Sequence, residues 1–160
     1  INRKFANHVA GLIPGAVVTD LDLGRFELPI YSADVEAKQG IPAAAQEFCD
    51  TIEQHDGIVI SMAEHNGSYS AAFKNLFDWA SRIDSKVWRG KPLLLLLTSP
   101  GARGGATVLE AAKTTFPFLG ADLKASFSLP SFGSNFSEGD GVTDPDLAAG
   151  LAGAVQDFVG

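Results

Sequence analysis

The sequence predicts an α/β protein built on an open parallel sheet with helices on both faces. Three observations carry this. Gly57–Met62 and Pro92–Thr98 are short apolar runs without polar alternation, as in strands covered on both sides. Between them, Ser70–Ser81 places Phe73, Leu76, Phe77 and Ala80 at helical spacing. The chain has 160 residues, 46% of them apolar, which suits one domain able to bury a two-sided sheet.

Taken in order, Asn2–Ile13 reads as a helix with Phe5, Val9, Leu12 and Ile13 on one face, stopped by Pro14-Gly15. Ala16–Leu21 is a short β-branched run and reads as a strand. Phe26–Pro42 has little periodicity and reads as a loop. Pro42–His55 is helical, with Pro in its first turn and Ala45, Phe48, Cys49 and Ile52 inside. The Gly57–Met62 strand empties into the polar loop Ala63–Tyr69, and Ser70 is placed to cap the helix that follows. Trp88–Lys91 is a connector, Pro92–Thr98 a strand, Ser99–Gly105 a glycine-rich loop and Ala106–Leu119 a helix. Leu123–Leu129 is a last strand, Ser131–Thr143 a polar, mobile loop, and Asp144–Val159 a closing helix started by Asp-Pro.

The resulting order, α-β-α-β-α-β-α-β-α, implies a parallel sheet. It opens on a helix with no strand to feed it. In the flavodoxin-like strand order 2-1-3-4-5 the central strand comes first, and ligand sits at its carboxyl end. The expected fold is a flavodoxin-like three-layer α/β/α domain over residues 1–160, with its first strand and phosphate loop ahead of Ile1.

Composition narrows the function. The net charge of −7 is dispersed, and no basic stripe suits a nucleic-acid backbone. The longest apolar run, Leu93–Leu97, is too short for a membrane span, and no secretory signal is visible. A lone Cys49 fits a reducing compartment, so a cytoplasmic protein is expected. His8, His55 and His65 lack ligand spacing, so no metal site is expected.

The chemistry is expected at the two loops that share the carboxyl edge of the sheet. Ala63–Tyr69 and Ser99–Gly105 both lead into helix N-termini, where free amides and the helix dipole favour an electron-rich partner. Glycines 67, 101, 104 and 105 allow close approach of a flat ligand. Neither loop carries the Gly-x4-Gly-Lys-Ser/Thr phosphate cradle. Spacing alone indicates a polar planar ligand.

The motifs add a resemblance. Met62-Ala63-Glu64-His65-Asn66-Gly67-Ser68-Tyr69-Ser70, then Phe73-Lys74-Asn75, then Asp78-Trp79-Ala80-Ser81-Arg82, resembles the signature of NADPH-dependent FMN reductases, a group that includes quinone and chromate reductases and some azoreductases. Gly90-Lys91-Pro92, Ser99-Pro100-Gly101-x-x-Gly104-Gly105 and Leu28-Pro29-Ile30-Tyr31 agree in order and distance. Ala63 stands where the family usually has Pro, and His65 where it has Tyr.

The resemblance implies a flavodoxin-like fold and FMN as cofactor, with NADPH or NADH as co-substrate. It implies FMN contacts from Ala63, Glu64, His65, Asn66, Gly67, Ser99, Pro100, Gly101, Gly104 and Gly105. Asn2 matches the last residue of the family's phosphate loop. No side chain is expected to be catalytic, because hydride chemistry belongs to the flavin. The acceptor would be a quinone, an azo compound, a metal oxyanion or free flavin, and the protein a homodimer or homotetramer. Two other readings stand beside this one: a flavodoxin-type electron carrier, and an interaction module without flavin. Lys74 and Asp78 read most simply as a helix pair, Trp79 as core or interface, and Arg103 as a contact to the NADPH phosphate or to water.

Overall fold

The structure is a computed structural model describing residues Ile1–Gly160. Helix α1 spans Asn2–Gly11, and a single 3-10 turn follows at Leu23–Arg25. Helices α2 (Ala33–Gln39) and α3 (Ala43–Glu53) lead to strand β1 (Ile58–Met62). A small hairpin, β2 (Glu64–His65) and β3 (Ser68–Tyr69), precedes α4 (Ala71–Ile83) and β4 (Pro92–Thr98). Helix α5 (Ala106–Thr115) leads to β5 (Asp122–Leu129). One helical turn, α6 (Phe132–Asn135), and a second hairpin, β6 (Phe136–Ser137) and β7 (Gly141–Val142), join β5 to α7 (Pro145–Val159).

The main sheet has the order β1-β4-β5, with both pairs parallel. Ile60 sits beside Leu95, and Leu95 beside Ser126. The five leucines of β4 explain why no polar alternation appears in its sequence. Leu93, Leu95 and Leu97 face one core with Phe48 and Ile52 of α3, Phe73, Leu76 and Phe77 of α4, and Val108 and Ala112 of α5. Leu94 and Leu96 face the other, with Phe5 and Val9 of α1 and Leu151 and Val155 of α7. All five are fully buried. The three-layer α/β/α arrangement is therefore present, on three parallel strands.

Four local expectations are corrected. Ala16–Leu21 is not a strand: residues 17–21 make no backbone–backbone hydrogen bond, because no strand lies beside them to pair with. The 26–42 segment is not all loop, since α2 forms there. Ser32 caps it by accepting from the Val35 N–H at 3.2 Å, Asp34 and Glu36 sit in its first turn, and Gly40 ends it. Ala63–Tyr69 is a hairpin, not an open loop. The 131–143 segment is held in place by α6 and the β6–β7 hairpin, with Ser134 and Asn135 N–H groups both donating to the Ser131 carbonyl.

Around residues 17–21 the side chains are pinned while the backbone makes no backbone–backbone hydrogen bond. Arg3 pairs with Asp20 at 2.9 Å and Asp22 at 2.8 Å, Asn7 donates to Asp20, and His55 Nε2 lies 2.8 Å from Thr19 Oγ1. Between this segment and β1 lies a cavity of about 910 Å³, lined in part by Val17, Leu21, Phe48, Ile58 and Ile60. Ile58–Ser61 are only half-buried, unlike their neighbours in β4. This groove occupies the place where the order 2-1-3-4-5 puts its first strand.

Candidate functional site

The two expected loops stand at the carboxyl ends of neighbouring strands, since Met62 pairs with Leu97 at the last rung of β1 and β4. The first loop owes its shape to Asn66-Gly67. Both residues have positive φ, 52° and 72°, and they form the two-residue turn between His65 and Ser68. An Asn-Gly pair is the strongest short signal for such a hairpin, and it was legible in the sequence. Part of the reason for Gly67 is therefore the turn itself. His65, Asn66, Gly67 and Ser68 are exposed, and the Asn66 amide makes no hydrogen bond within the protein. A Cβ at Gly67 would meet nothing within 4 Å.

The second loop divides in two. Gly104 and Gly105 are buried and serve packing. A Cβ on Gly104 would meet Ser128 Oγ at 2.1 Å, and one on Gly105 would meet Leu97 Cδ2 at 2.8 Å. These glycines let the loop fold down onto β4 and β5, and Ser128 Oγ donates to the Gly104 carbonyl at 2.9 Å. Pro100 and residues 101–103 form the exposed half. Their N–H groups at Gly101, Ala102 and Arg103 have no protein partner. A Cβ on Gly101 would meet only Ser99 Oγ, at 3.9 Å.

Ser99 and Gly101 are braced by the start of the 131–143 segment. The Ser131 N–H donates to the Gly101 carbonyl and the Phe132 N–H to the Ser99 carbonyl, both at 3.0 Å. Asn135 Nδ2 in turn donates to the Pro130 carbonyl. Ser131 holds φ at 47°, a left-handed conformation that nothing in its sequence context advertises. The Ser99 hydroxyl donates to Gly101 O at 3.1 Å, closing a small turn.

Asn2 sits at the same edge, but its side chain is used. Asn2 Oδ1 accepts from Ser61 Oγ at 2.7 Å and from the Thr98 N–H at 3.3 Å, so it pins the start of α1 across the ends of β1 and β4. Glu64 is also engaged, accepting from the Val108 N–H of α5 at 3.0 Å. Ala63 is half-buried at the exit of β1.

The polar side chains of the α4 motif are engaged away from these loops. Asn75 accepts from the Tyr31 N–H at 2.9 Å and donates to the Pro29 carbonyl at 3.0 Å. Trp79 is fully buried, and its Nε1 donates to the same carbonyl at 2.8 Å. Arg82 pairs with Glu36 of α2 at 2.9 Å, and Lys74 with Asp78 at 2.7 Å. Asn75, Trp79 and Arg82 clamp Leu28–Tyr31 and α2 onto α4, whereas the Lys74–Asp78 pair lies within α4. Arg103 is exposed and donates to Thr107 Oγ1 at 3.0 Å. No group of three or more metal-ligating side chains is present.

The donor set fits the edge of a flavin ring. Unpartnered N–H groups at 101–103 suit ring carbonyls, the free Asn66 amide both donates and accepts, and the positions of Gly67 and Gly101 are open where a side chain would stand. No helix is long and apolar enough to cross a membrane.

Known proteins resemble this chain over most of its length. A quinone reductase of Escherichia coli K12 is 37% identical over 122 residues, 74% of this chain and 65% of its own length. An NAD(P)H-dependent FMN reductase of Pseudomonas aeruginosa is 34% identical over 119 residues, 74% of this chain and 63% of its own. The chain thus spans just under two thirds of the curated relatives it matches. Among solved structures, the flavoenzyme NAD(P)H:(acceptor) oxidoreductase FerB from Paracoccus denitrificans superposes with a TM-score of 0.76 at 30% identity, covering 99% of this chain and 87% of that one. That likeness establishes the flavodoxin-like architecture. The sequence pattern of NADPH-dependent FMN reductases matches residues 1–132, and the chain belongs to that family.

Proposed function

We propose that this domain holds FMN against the carboxyl edge of β1 and β4, and that the protein is an NAD(P)H-dependent oxidoreductase delivering electrons to a small acceptor. One observation carries the reading: the Asn66-Gly67 hairpin tip and the unpartnered amides of 101–103 leave adjacent strand ends. The chemistry that FMN supplies when bound is hydride acceptance from a nicotinamide and electron release to the acceptor. The protein's part is binding and orientation. Asn66 and the backbone beside Gly67 would hold one side of the ring edge. Gly101, Ala102 and Arg103 would donate to its carbonyls, with Ser99 and Pro100 shaping the turn. Gly104 and Gly105 keep that turn low against the sheet. The dipole of α5 favours negative charge near its N-terminus, so a ring edge held there would be stabilised as the flavin gained charge on reduction.

Quinones, azo compounds, metal oxyanions and free flavin remain the acceptor classes of this reading, and a cytoplasmic homodimer or homotetramer its setting. A strand seated in the groove beside β1 and running parallel to it would end next to Asn2. A segment able to hold the FMN phosphate would enter the site there.

The test is a titration of the full-length apoprotein with FMN and with FAD, followed by anaerobic addition of NADPH or NADH. The expected result is tighter FMN binding and bleaching of the flavin band by the nicotinamide. Equal or tighter FAD binding rejects the cofactor assignment. FMN binding without bleaching points to an electron carrier, and no flavin binding to an interaction module.

A further inference from the structure

Glu64 and Tyr69 are cross-strand partners on one rung of the β2–β3 hairpin. They therefore leave the hairpin on the same face. That face lies against α5. Glu64 Oε2 accepts from the Val108 N–H near the start of the helix, and Tyr69 Oη lies 3.4 Å from Thr115 Oγ1 at its last residue. The Tyr69 ring also stacks on Phe116, interplanar angle 10°, centroids 6.3 Å apart. One rung thus grips both ends of a ten-residue helix.

The helix needs that grip at its N-terminus. Its N-cap residue is Gly105, at φ 81° with no side chain to offer, and no side-chain cap comes from the segment itself. Val108 occupies the third position of the helix, whose N–H an N-cap Ser, Thr or Asp would normally satisfy. Glu64 does this from 44 residues away. Its carboxylate also faces the positive end of the helix dipole, which makes the bond charge-assisted.

We infer that Glu64 is a cap supplied across the site, a positioning residue that fixes the Asn66-Gly67 tip relative to the 99–105 turn, and not a flavin contact. Two roles reside in one carboxylate. Its acceptor oxygen sets the spacing between the loops. Its charge offsets part of the positive potential of α5, and so disfavours added electron density on whatever ring lies between them. The second role rests on the FMN reading above, whereas the first stands on the protein alone.

Substitution separates them. Glu64→Gln keeps an acceptor and removes the charge, whereas Glu64→Ala removes both. Hydrogen exchange of the Val108 amide is measured in the full-length protein without cofactor. Exchange is expected to accelerate about tenfold or more in Glu64→Ala, the equivalent of one charge-assisted hydrogen bond, and by less than about threefold in Glu64→Gln. Tyr69→Phe, which removes only the hydroxyl, should leave Val108 unchanged. An unchanged Val108 amide in a folded Glu64→Ala variant overturns the cap. For the charge, the midpoint potential of bound FMN is measured. It should rise in Glu64→Gln relative to the parent, while FMN affinity stays within about threefold. An unchanged or lowered potential, or an FMN affinity that collapses in Glu64→Gln, overturns the assignment and returns Glu64 to the ring. If the parent protein binds no FMN, it is the proposed function that fails. The Val108 exchange then decides the cap alone.

Discussion

Asn66 shows how one residue serves two purposes. Its φ of 52° makes it a turn residue first, and its amide is left free for a ligand. Leucine at this position would combine loss of the amide with strain of roughly 1–2 kcal/mol from the left-handed backbone. Asn66→Gly removes only the amide. This variant is expected to keep its melting temperature within a degree or two and to lose about tenfold in FMN affinity, if one net hydrogen bond is lost. Calorimetry and flavin titration check the two halves. Unchanged affinity in the folded variant removes Asn66 from the site. Gly105 makes the opposite case. Gly105→Ala places a Cβ 2.8 Å from Leu97 Cδ2 at a positive φ, so it should destabilise the fold by about 1–3 kcal/mol with or without flavin. The sequence marked both glycine groups as ligand-facing. Exposure and packing separate them, and neither can be read from a string of glycines.

At the scale of elements, legibility followed the length of the pattern. β4, α4 and α7 fall within two residues of their expected ends, because five consecutive leucines, a repeated apolar face and an Asp-Pro start each dominate their segment. Helix α2 was missed because its seven residues bury none of their side chains. Its signal was the cap and charge arrangement of Ser32, Asp34, Glu36 and Lys38. The Ala16–Leu21 strand failed for the reverse reason, since β-branched residues supply propensity but no partner. The α4 motif was visible as a motif, and its task as a clamp on Leu28–Tyr31 was not. Trp79→Phe should cost about 0.5–1.5 kcal/mol, the net worth of one hydrogen bond, because the exposed Pro29 carbonyl keeps its bond from Asn75 Nδ2. It should leave FMN affinity unchanged if the motif only clamps, which urea unfolding and titration together would show. The second hairpin carries a pH dependence. His8 packs edge-on against Phe136, centroids 5.3 Å apart, and a Cβ on Gly141 would meet its ring at 2.2 Å. Burial lowers the pKa of His8 below the ordinary histidine value. The unfolded chain therefore binds the proton first as pH falls below about 6.5, and stability declines through that window. Unfolding curves at pH 7.5 and pH 5 should show the loss, and His8→Gln should shrink it. An identical pH slope in the variant would place the effect elsewhere.

Across the whole molecule the sheet is lopsided. β4 is paired on both sides and fully buried, β5 is an outer strand, and β1 is paired on one side only, facing the groove. The alternation of helices and apolar runs revealed the layers, and the helix-first order left the strand beside β1 unaccounted for. Nothing in the sequence indicated that Arg3, Asn7 and His55 would hold its far wall open. Amide exchange should follow the pairing: Leu94–Leu96 exchange only through global unfolding, whereas the groove-facing amides of Ile58–Ser61 exchange at least about a hundredfold faster when the groove is unfilled. Equal protection in both strands would mean that β1 has a partner on that side.

An unfilled seat of this kind turns stability into a matter of mass action. Any extended segment that pairs with β1 stabilises the folded state by RT ln(1 + [L]/Kd), which reaches about 2.7 kcal/mol at a hundredfold excess over Kd. A segment tethered to the same chain acts at an effective concentration in the millimolar range, whereas a free one must be added. The melting temperature of the Ile1–Gly160 polypeptide is then a reporter of occupancy. It should stay constant across protein dilutions if the seat is empty or filled in cis, and climb with concentration if neighbouring molecules fill it for one another.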